Sequence, residues 1–130
     1  MKMATNTKKQ YPFNKLTENI IGCVFEVYNK IGYGLPEKVY QSALAECFRE
    51  RKSSFSREKY SFVKFMDKVV GKFFLDFLVE NKVAVELKIR RGQYESDVIQ
   101  LLNYLKAEKL KIGLLFVITP EGIKIKRLIN

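Results

Sequence analysis

Two consecutive strand-like segments carry charged side chains where buried strands usually have none. Residues 73–79 read FFLDFLV and residues 83–89 read VAVELKI. Both segments are apolar on two sides apart from Asp76, Glu86 and Lys88, and such apolar runs are typical of central strands. Burying an unpaired ion costs several kcal/mol, so the sheet needs a reason to hold these three charges. They point to a functional site.

The two segments are predicted to form an antiparallel hairpin. A three-residue loop at positions 80–82 pairs Val79 with Val83 and sets Asp76 opposite Glu86. Opposite residues share a face of the sheet, and loops of this length are common in hairpins. A two-residue turn would instead move Asp76 to the other face. The two carboxylates are therefore expected on one face about 5 Å apart, close enough to share a cation.

Charge and residue usage narrow the classes of function. The chain has 130 residues, 24 Lys and Arg against 14 Asp and Glu, and a formal charge of +10. This length suits one domain, and the charge favours polyanion partners. The sequence contains no histidine, which excludes His-ligated zinc chemistry and Ser–His or Cys–His catalysis.

Nothing in the sequence indicates a membrane or secreted protein. No apolar run approaches the roughly 20 residues that cross a bilayer, and residues 1–14 are polar and basic, unlike a secretory signal. Cys23 and Cys47 fall in helical patterns and are expected to be buried free thiols in a reducing cytoplasm. The predicted location is therefore cytoplasmic.

Periodicity and turn residues predict the order ααβββαββ. Residues 1–14 are expected to form a basic flexible tail and residues 15–130 a single α/β domain, with a central mixed sheet flanked by helices. Thr17 is the expected N-cap of the first helix, residues 53–59 a polar connection and Gly71 a turn residue. The predicted elements are helices at 16–31, 36–51 and 94–109, and strands at 60–66, 73–79, 83–89, 114–119 and 123–129.

Three further polar residues are candidates for the same site. Glu37 opens the second helix on the same stripe as Tyr40, so it is expected to point inward. Gln100 and Tyr104 are four residues apart on the third helix and project from one side, with Asp97 one turn earlier.

The combined pattern resembles the PD-(D/E)xK nuclease superfamily and, within it, the small family named for its G-x-x-E-x-x-Y segment. That family implies a restriction-endonuclease-like core. The resemblance extends from about residue 16 to residue 127, although members often carry histidine where this chain has Tyr28 and Asp97. The segments that carry it are GYGLPEKVY at 32–40, LDFLVE at 75–80, VELK at 85–88, QLLNYLK at 100–106 and GLL at 113–115.

The resemblance implies specific roles for these residues. Asp76, Glu86 and the main-chain carbonyl of Leu87 are expected to hold Mg²⁺ or Mn²⁺, with Glu37 adding a carboxylate, and Lys88 is expected to orient the attacking water. Gln100 and Tyr104 match an extra motif of recombination-type exonucleases, where such residues support the catalytic lysine or contact the substrate.

The implied activity is metal-dependent hydrolysis of nucleic-acid phosphodiesters, with DNA the expected substrate. A homodimer is compatible with this activity because double-strand cutting needs two sites. Two alternatives stay open: a non-catalytic nucleic-acid-binding module on the same fold, and a small scaffold that acts through a partner chain. The residues that could track phosphates, or simply form a solvated basic face, are Arg90, Arg91, Lys124, Lys126 and Arg127.

Overall fold

Residues 12–130 are described by a computed structural model of the chain, which has the predicted order ααβββαββ. None of the helices in this part of the chain is long and apolar enough to cross a membrane. The elements are α1 (Asn14–Ile31), α2 (Glu37–Glu50), β1 (Phe55–Phe65), β2 (Lys68–Val79), β3 (Val83–Ile89), α3 (Glu95–Glu108), β4 (Ile112–Thr119) and β5 (Gly122–Ile129).

The five strands form one mixed sheet in the order β1-β2-β3-β4-β5. Strands β3 and β4 are parallel and connected through α3, whereas the other neighbours are antiparallel. A parallel pair needs a crossover of this kind, so the predicted mixed sheet is confirmed. The predicted pairing of Val79 with Val83 is also confirmed, with residues 80–82 as the loop.

Helices cover both faces of the sheet. Helices α1 and α2 pack on one face, where Tyr40, Leu44 and Phe48 contact strand residues that include Phe77 and Phe116. Helix α3 covers the other face, where a second cluster forms. The second cluster contains Leu75, Leu78, Ala84, Leu101, Tyr104, Leu105, Leu115 and Val117. Strands β3 and β4 are buried from both sides, as their continuous apolar sequences predict.

Several local predictions about the two N-terminal helices are wrong. Helix α1 begins at Asn14, so Thr17 lies inside it and donates its hydroxyl hydrogen to the Asn14 carbonyl at 2.9 Å. Asn14 therefore belongs to the domain, whereas the rest of the expected tail up to residue 11 lies outside the described residues. Both cysteines are free, but Cys47 is only half-buried.

The first hairpin is longer than predicted. Strand β1 starts at Phe55 within the expected polar connection, and Gly71 lies inside β2 opposite Val63. The turn is formed by Met66 and Asp67, both with positive φ. Cross-strand pairing extends the strands here because backbone hydrogen bonds in a ladder outweigh weak local preferences.

Candidate functional site

The site lies where β2 and β3 separate, a gap that we call the carboxylate seam. The ladder between these strands ends at the pair Phe77–Val85. Beyond it, the Asp76 amide donates to Glu86 Oε1 and the Leu87 amide donates to Asp76 Oδ2, each at 2.8 Å. The two carboxylates thus take over the backbone donors that a continuing ladder would have paired.

Strand β2 changes its alternation at the seam. Leu75 and Leu78 both pack in the cluster under α3, although they are three residues apart, whereas Phe77 belongs to the opposite cluster. Asp76 therefore lies at an irregular position of the strand. The expectation that Asp76 and Glu86 share one face of the sheet assumed regular alternation along β2, and that alternation does not continue through Asp76. Asp76 and Glu86 instead meet across the opening between the two strands.

Burial makes both carboxylates hard to ionise. Asp76 and Glu86 are each 5% exposed. Loss of hydration is the largest cause that raises the pKa of each, and repulsion from Asp76 adds to the effect at Glu86, whose pKa rises to about 8. Two negative charges in this buried gap would repel each other, and a bound cation would relieve that repulsion.

Lys88 provides a nearby positive charge. Its Nζ lies 3.7 Å from Glu86 Oε2, and its side chain is 21% exposed, so it is reached from solvent. The ammonium group lowers the pKa of both Asp76 and Glu86, although less than burial raises it. Lys88 therefore offsets only part of the negative charge that the seam concentrates.

Helix α2 brings two polar residues to the seam. Glu37 Oε2 accepts a hydrogen bond from the Ile89 amide at 3.1 Å, so the side chain points inward as expected. Gln41, one turn later and buried, donates a side-chain hydrogen bond to Asp76 that lowers the pKa of Asp76. Sequence reasoning missed Gln41, although its i+4 spacing from Glu37 was a usable signal.

Helix α3 presents Tyr104 and Gln100 differently. Tyr104 is buried under the sheet, and the negative charge of Glu86 helps to raise the pKa of Tyr104, after burial and Glu108, to about 12. Its Oη is buried and has no hydrogen-bond partner among the described residues. Gln100 is exposed instead, so the structure buries Tyr104 in the cluster under α3 and leaves Gln100 at the surface.

The basic candidates fall into two groups. Two are engaged in the structure: Arg90 binds both oxygens of buried Asp97 at 2.9 and 3.0 Å, and Arg127 donates to Thr17 Oγ1 at 2.9 Å. The others are exposed, with Lys124 and Lys126 both near the Tyr94 ring. These exposed side chains are Arg91, Lys124 and Lys126.

Asp76 and Glu86 are the carboxylates of the seam that could bind a divalent cation. The described residues contain no group of three or more His, Cys, Asp and Glu that could hold a metal ion. Mg²⁺, however, is often bound by one or two carboxylates and keeps several waters. Asp76 and Glu86 provide two carboxylates with raised pKa values, which a cation would lower, so the residues fit this mode of binding.

Comparisons with known proteins agree with this architecture. The PD-(D/E)XK nuclease superfamily model matches residues 14–128. The fold is similar to the crystal structure of SSO0001, with a TM-score of 0.59 and 19% identity over 90% of this chain and 59% of that chain. This likeness shows the restriction-endonuclease-like fold alone, and the chain spans less than two thirds of that protein. No curated protein matches the sequence. Because the family match covers nearly the whole chain, the chain belongs to the PD-(D/E)XK nuclease superfamily.

Proposed function

We propose that this protein is a metal-dependent deoxyribonuclease of the G-x-x-E-x-x-Y type, acting at the carboxylate seam. The observation that carries the proposal is the pair of buried carboxylates, Asp76 and Glu86, which replace the backbone ladder and sit beside Lys88. A fold gains no stability from two like charges in one buried gap. A bound divalent cation offers a physical reason to keep them.

The seam offers a compact set of oxygen ligands for Mg²⁺ or Mn²⁺. Asp76 and Glu86 would supply carboxylate oxygens, and Leu87 would supply its carbonyl. Support for Leu87 comes from its amide, which donates into the seam. The N–H and C=O of one strand residue point toward the same neighbouring strand, so the carbonyl is also directed there. When bound, the cation polarises the phosphate and acidifies a water molecule.

The remaining residues would act around these ligands. Lys88 would hold the attacking water and offset charge on the phosphate, since its ammonium group is near Glu86 and open to solvent. Glu37 would keep the end of β3 in position through the Ile89 amide and add negative charge for a cation. Tyr104 would support Glu86 from below, whereas exposed Gln100 would contact the substrate.

Substrate binding would use the exposed basic side chains near this end of the sheet. Lys124 and Lys126 lie beside Tyr94, and Arg91 is the second residue after the end of β3. We assign Arg90 and Arg127 a positioning role instead, because each already binds another side chain of the domain. DNA is the preferred candidate substrate, with RNA as the second arm of the test.

A second candidate function follows from one observation. Glu86 and Asp76 accept hydrogen bonds from the Asp76 and Leu87 amides, and residues 12–130 contain no group of three or more His, Cys, Asp and Glu side chains that could hold a metal ion. A non-catalytic nucleic-acid-binding module could keep such a seam as a structural device. Loss of binding rather than loss of cleavage would then be the main effect of changing the basic surface.

One cleavage assay separates the two functions. Labelled single- and double-stranded DNA and RNA are incubated with Mg²⁺ or Mn²⁺ and wild type, Glu86→Ala or Lys88→Ala. We expect each substitution to lower the rate about 10²- to 10⁴-fold, the range that corresponds to the loss of several kcal/mol of transition-state stabilisation. Glu121→Ala and Lys106→Ala, which change exposed residues, serve as matched controls and should cut like wild type.

Two outcomes contradict the nuclease proposal: equal cleavage by wild type, Glu86→Ala and Lys88→Ala, or no cleavage by any of the three proteins. Salt-sensitive DNA binding by wild type without cleavage would favour the binding module. A companion measurement is the melting temperature, which a ligand of the native state must raise. Millimolar Mg²⁺ should raise it for wild type and much less for Glu86→Ala.

A further inference from the structure

The outer part of the first hairpin, residues 59–74, exposes an unusual amount of apolar surface. We call this segment the hairpin arm. Scattered exposed apolar residues are normal, but a contiguous set marks an interaction site. Eight large apolar side chains of the arm are 41–80% exposed: Tyr60, Phe62, Val63, Phe65, Met66, Val69, Val70 and Phe74.

The arm is a regular ladder up to its tip. Pairing continues from Tyr60–Phe74 to Phe65–Lys68, with one irregularity after Val63. Positive φ at both residues of the two-residue turn is typical of the type I′ turn that suits hairpins. The apolar side chains are therefore presented by a defined backbone rather than by a fraying end.

One face of the arm carries an aromatic platform, which we define as Tyr60, Phe62, Lys72 and Phe74. Tyr60 pairs with Phe74 and Phe62 pairs with Lys72, so all four side chains share a face. The Tyr60 and Phe74 rings are 5.5 Å apart between centroids, and Lys72 Nζ is 4.7 Å from the Tyr60 centroid. Each of the three rings is about half exposed.

The opposite face is tied to the body of the domain. Ser61 Oγ donates to Glu108 of α3 at 2.6 Å, and the Phe73 ring lies 5.9 Å from that of Tyr104. These contacts fix the orientation of the arm on α3. The aromatic platform consequently faces away from α3 and is left uncovered by the described residues.

Charge indicates what could cover the platform. The arm contains four lysines and one acidic residue, Asp67. Two copies of so basic a surface would repel each other, whereas a polyanion would be attracted. Two of the arm lysines, Lys64 and Lys72, share the face of Tyr60 and Phe62, whereas Lys59, opposite Leu75, and Lys68, opposite Phe65, lie on the other face.

We propose that the aromatic platform binds unpaired bases of nucleic acid, with Lys64 and Lys72, on the same face, holding the adjacent phosphates. Aromatic side chains on a sheet surface stack on splayed bases, and a basic groove beside them follows the backbone. Lys72 would exchange its place over Tyr60 for a phosphate. The ligand class is single-stranded or locally opened nucleic acid, rather than continuous duplex.

This inference deepens the proposed function and rests on it for the link to cleavage. Phe74 precedes Asp76 by two residues on β2, a distance of about 7 Å along a strand. A base stacked on the platform would therefore hold its strand beside the carboxylate seam. The expected substrates are strands with unpaired bases next to the cleaved bond.

Binding is measured without cleavage by fluorescence anisotropy in EDTA. The probes are a labelled 20-nucleotide oligothymidine and a labelled 20-base-pair duplex. We expect tighter binding of the single strand by wild type, and a loss of about fivefold to 150-fold in Tyr60→Ala and Phe74→Ala, the effect of one lost stacking contact. Phe25→Ala changes a comparably exposed ring on α1 and should bind like wild type.

Salt dependence separates the role of the lysines from that of the rings. Lys72→Gln should lower the slope of log affinity against log salt by about 0.7, the value for one phosphate contact on a single strand. Tyr60→Ala should leave the slope unchanged. Lys106→Gln, which removes an exposed lysine from α3, should change neither affinity nor slope.

Three results would overturn the platform inference: wild-type affinity in both aromatic variants, equal losses on duplex and single strand, or a DNA-free dimer that Phe62→Asp dissociates. The last would mean that a second copy covers the face. Single-strand binding through the platform without any cleavage would refute the proposed function alone. Cleavage that needs Glu86 but ignores the platform variants would refute this inference alone.

Discussion

Two positions within strand β2 break the usual rule of burial in opposite directions. Asp76 is 5% exposed although it is a carboxylate, whereas Phe74, toward the hairpin tip, is 51% exposed although it is aromatic. Only Leu75 separates them. A folded chain normally buries the ring and exposes the charge, because each exception costs free energy.

The difference shows which parts of the strand serve the fold. Phe77, one residue beyond Asp76, obeys the rule: it is fully buried and packs against Phe48 and Phe55 with centroid distances of 5.4 and 5.7 Å. The exceptions at Asp76 and Phe74 are therefore not a general weakness of the strand. Under the two proposals above, a ligand rather than the core would complete the environment at these positions.

The largest expected effect tests this contrast on one strand. Phe77→Ala should lower the free energy of unfolding by about 3–5 kcal/mol, because it leaves a cavity among buried rings. Phe74→Ala should lower it by less than about 1 kcal/mol, the value of a cross-strand pair. Urea unfolding followed by circular dichroism measures both. Similar losses in the two variants would contradict the division of β2 into a core part and a binding part.

The pH dependence of stability tests the seam. The pKa of Glu86 rises from 4.5 unfolded to about 8 folded, so its contribution is complete below about pH 4.5 and is lost as the pH rises toward 8. Asp76 shifts in the same direction, Glu37 adds repulsion, and Lys88 opposes it. Glu86→Gln removes this titration and still offers an acceptor to the Asp76 amide.

In EDTA, wild type should therefore lose stability relative to Glu86→Gln as the pH rises, with a separation of about 3 kcal/mol between pH 5 and 8. Urea titrations at each pH measure the difference. Glu121→Gln is the control and should parallel wild type. If wild type and Glu86→Gln also run parallel, the buried carboxylate does not carry the raised pKa.

Much of the fold was predictable because it depends on local patterns. The apolar run of β3 fixed its limits at Val83–Ile89, and the loop length set the register of Val79 with Val83. The extent of β1 was not predictable, because residues 55–59 become a strand only by pairing with the inner end of β2. Local propensity cannot report a partner that lies about 20 residues away.

The site was predictable as a set of residues but not as a geometry. The charges in apolar strands pointed to Asp76, Glu86 and Lys88, and the structure brings these three together. Counting alternate positions along the strands could not show the break at Asp76, because that count assumes a regular ladder. Nor could it show that Gln100 would be exposed while Tyr104 is buried, since four residues on a helix differ by about 40°.

A smaller effect is expected from Gln41, the residue that sequence reasoning missed. Gln41→Leu removes its hydrogen bond to Asp76 and should lower stability by about 2 kcal/mol, because a buried acceptor is left without that donor. The rise in melting temperature caused by Mg²⁺ should also shrink. Gln93→Leu alters an exposed glutamine and should change neither. An unchanged Mg²⁺ response in Gln41→Leu would remove Gln41 from the site.

The smallest expected change in stability comes from replacing Tyr104. This change best distinguishes residues that serve the core from residues that serve the site. Its Oη is buried without a hydrogen-bond partner in residues 12–130, although the ring itself packs in the cluster under α3. Tyr104→Phe removes that hydroxyl and keeps the ring, so it should raise the free energy of unfolding by about 1 kcal/mol. If the hydroxyl supports Glu86 in catalysis, the same variant should cut DNA more slowly.

Greater stability with slower cleavage would identify Tyr104 as a residue kept for function at the expense of the fold. Urea unfolding and the cleavage assay, run on the same preparation, measure the two quantities. Tyr28→Phe is a control for the stability measurement alone: its hydroxyl donates a 3.4 Å hydrogen bond to the Thr119 carbonyl, so its removal should lower the free energy of unfolding. Lower stability in Tyr104→Phe would mean that the hydroxyl is satisfied in solution, and Tyr104 would then belong with Phe77 among residues that serve the core.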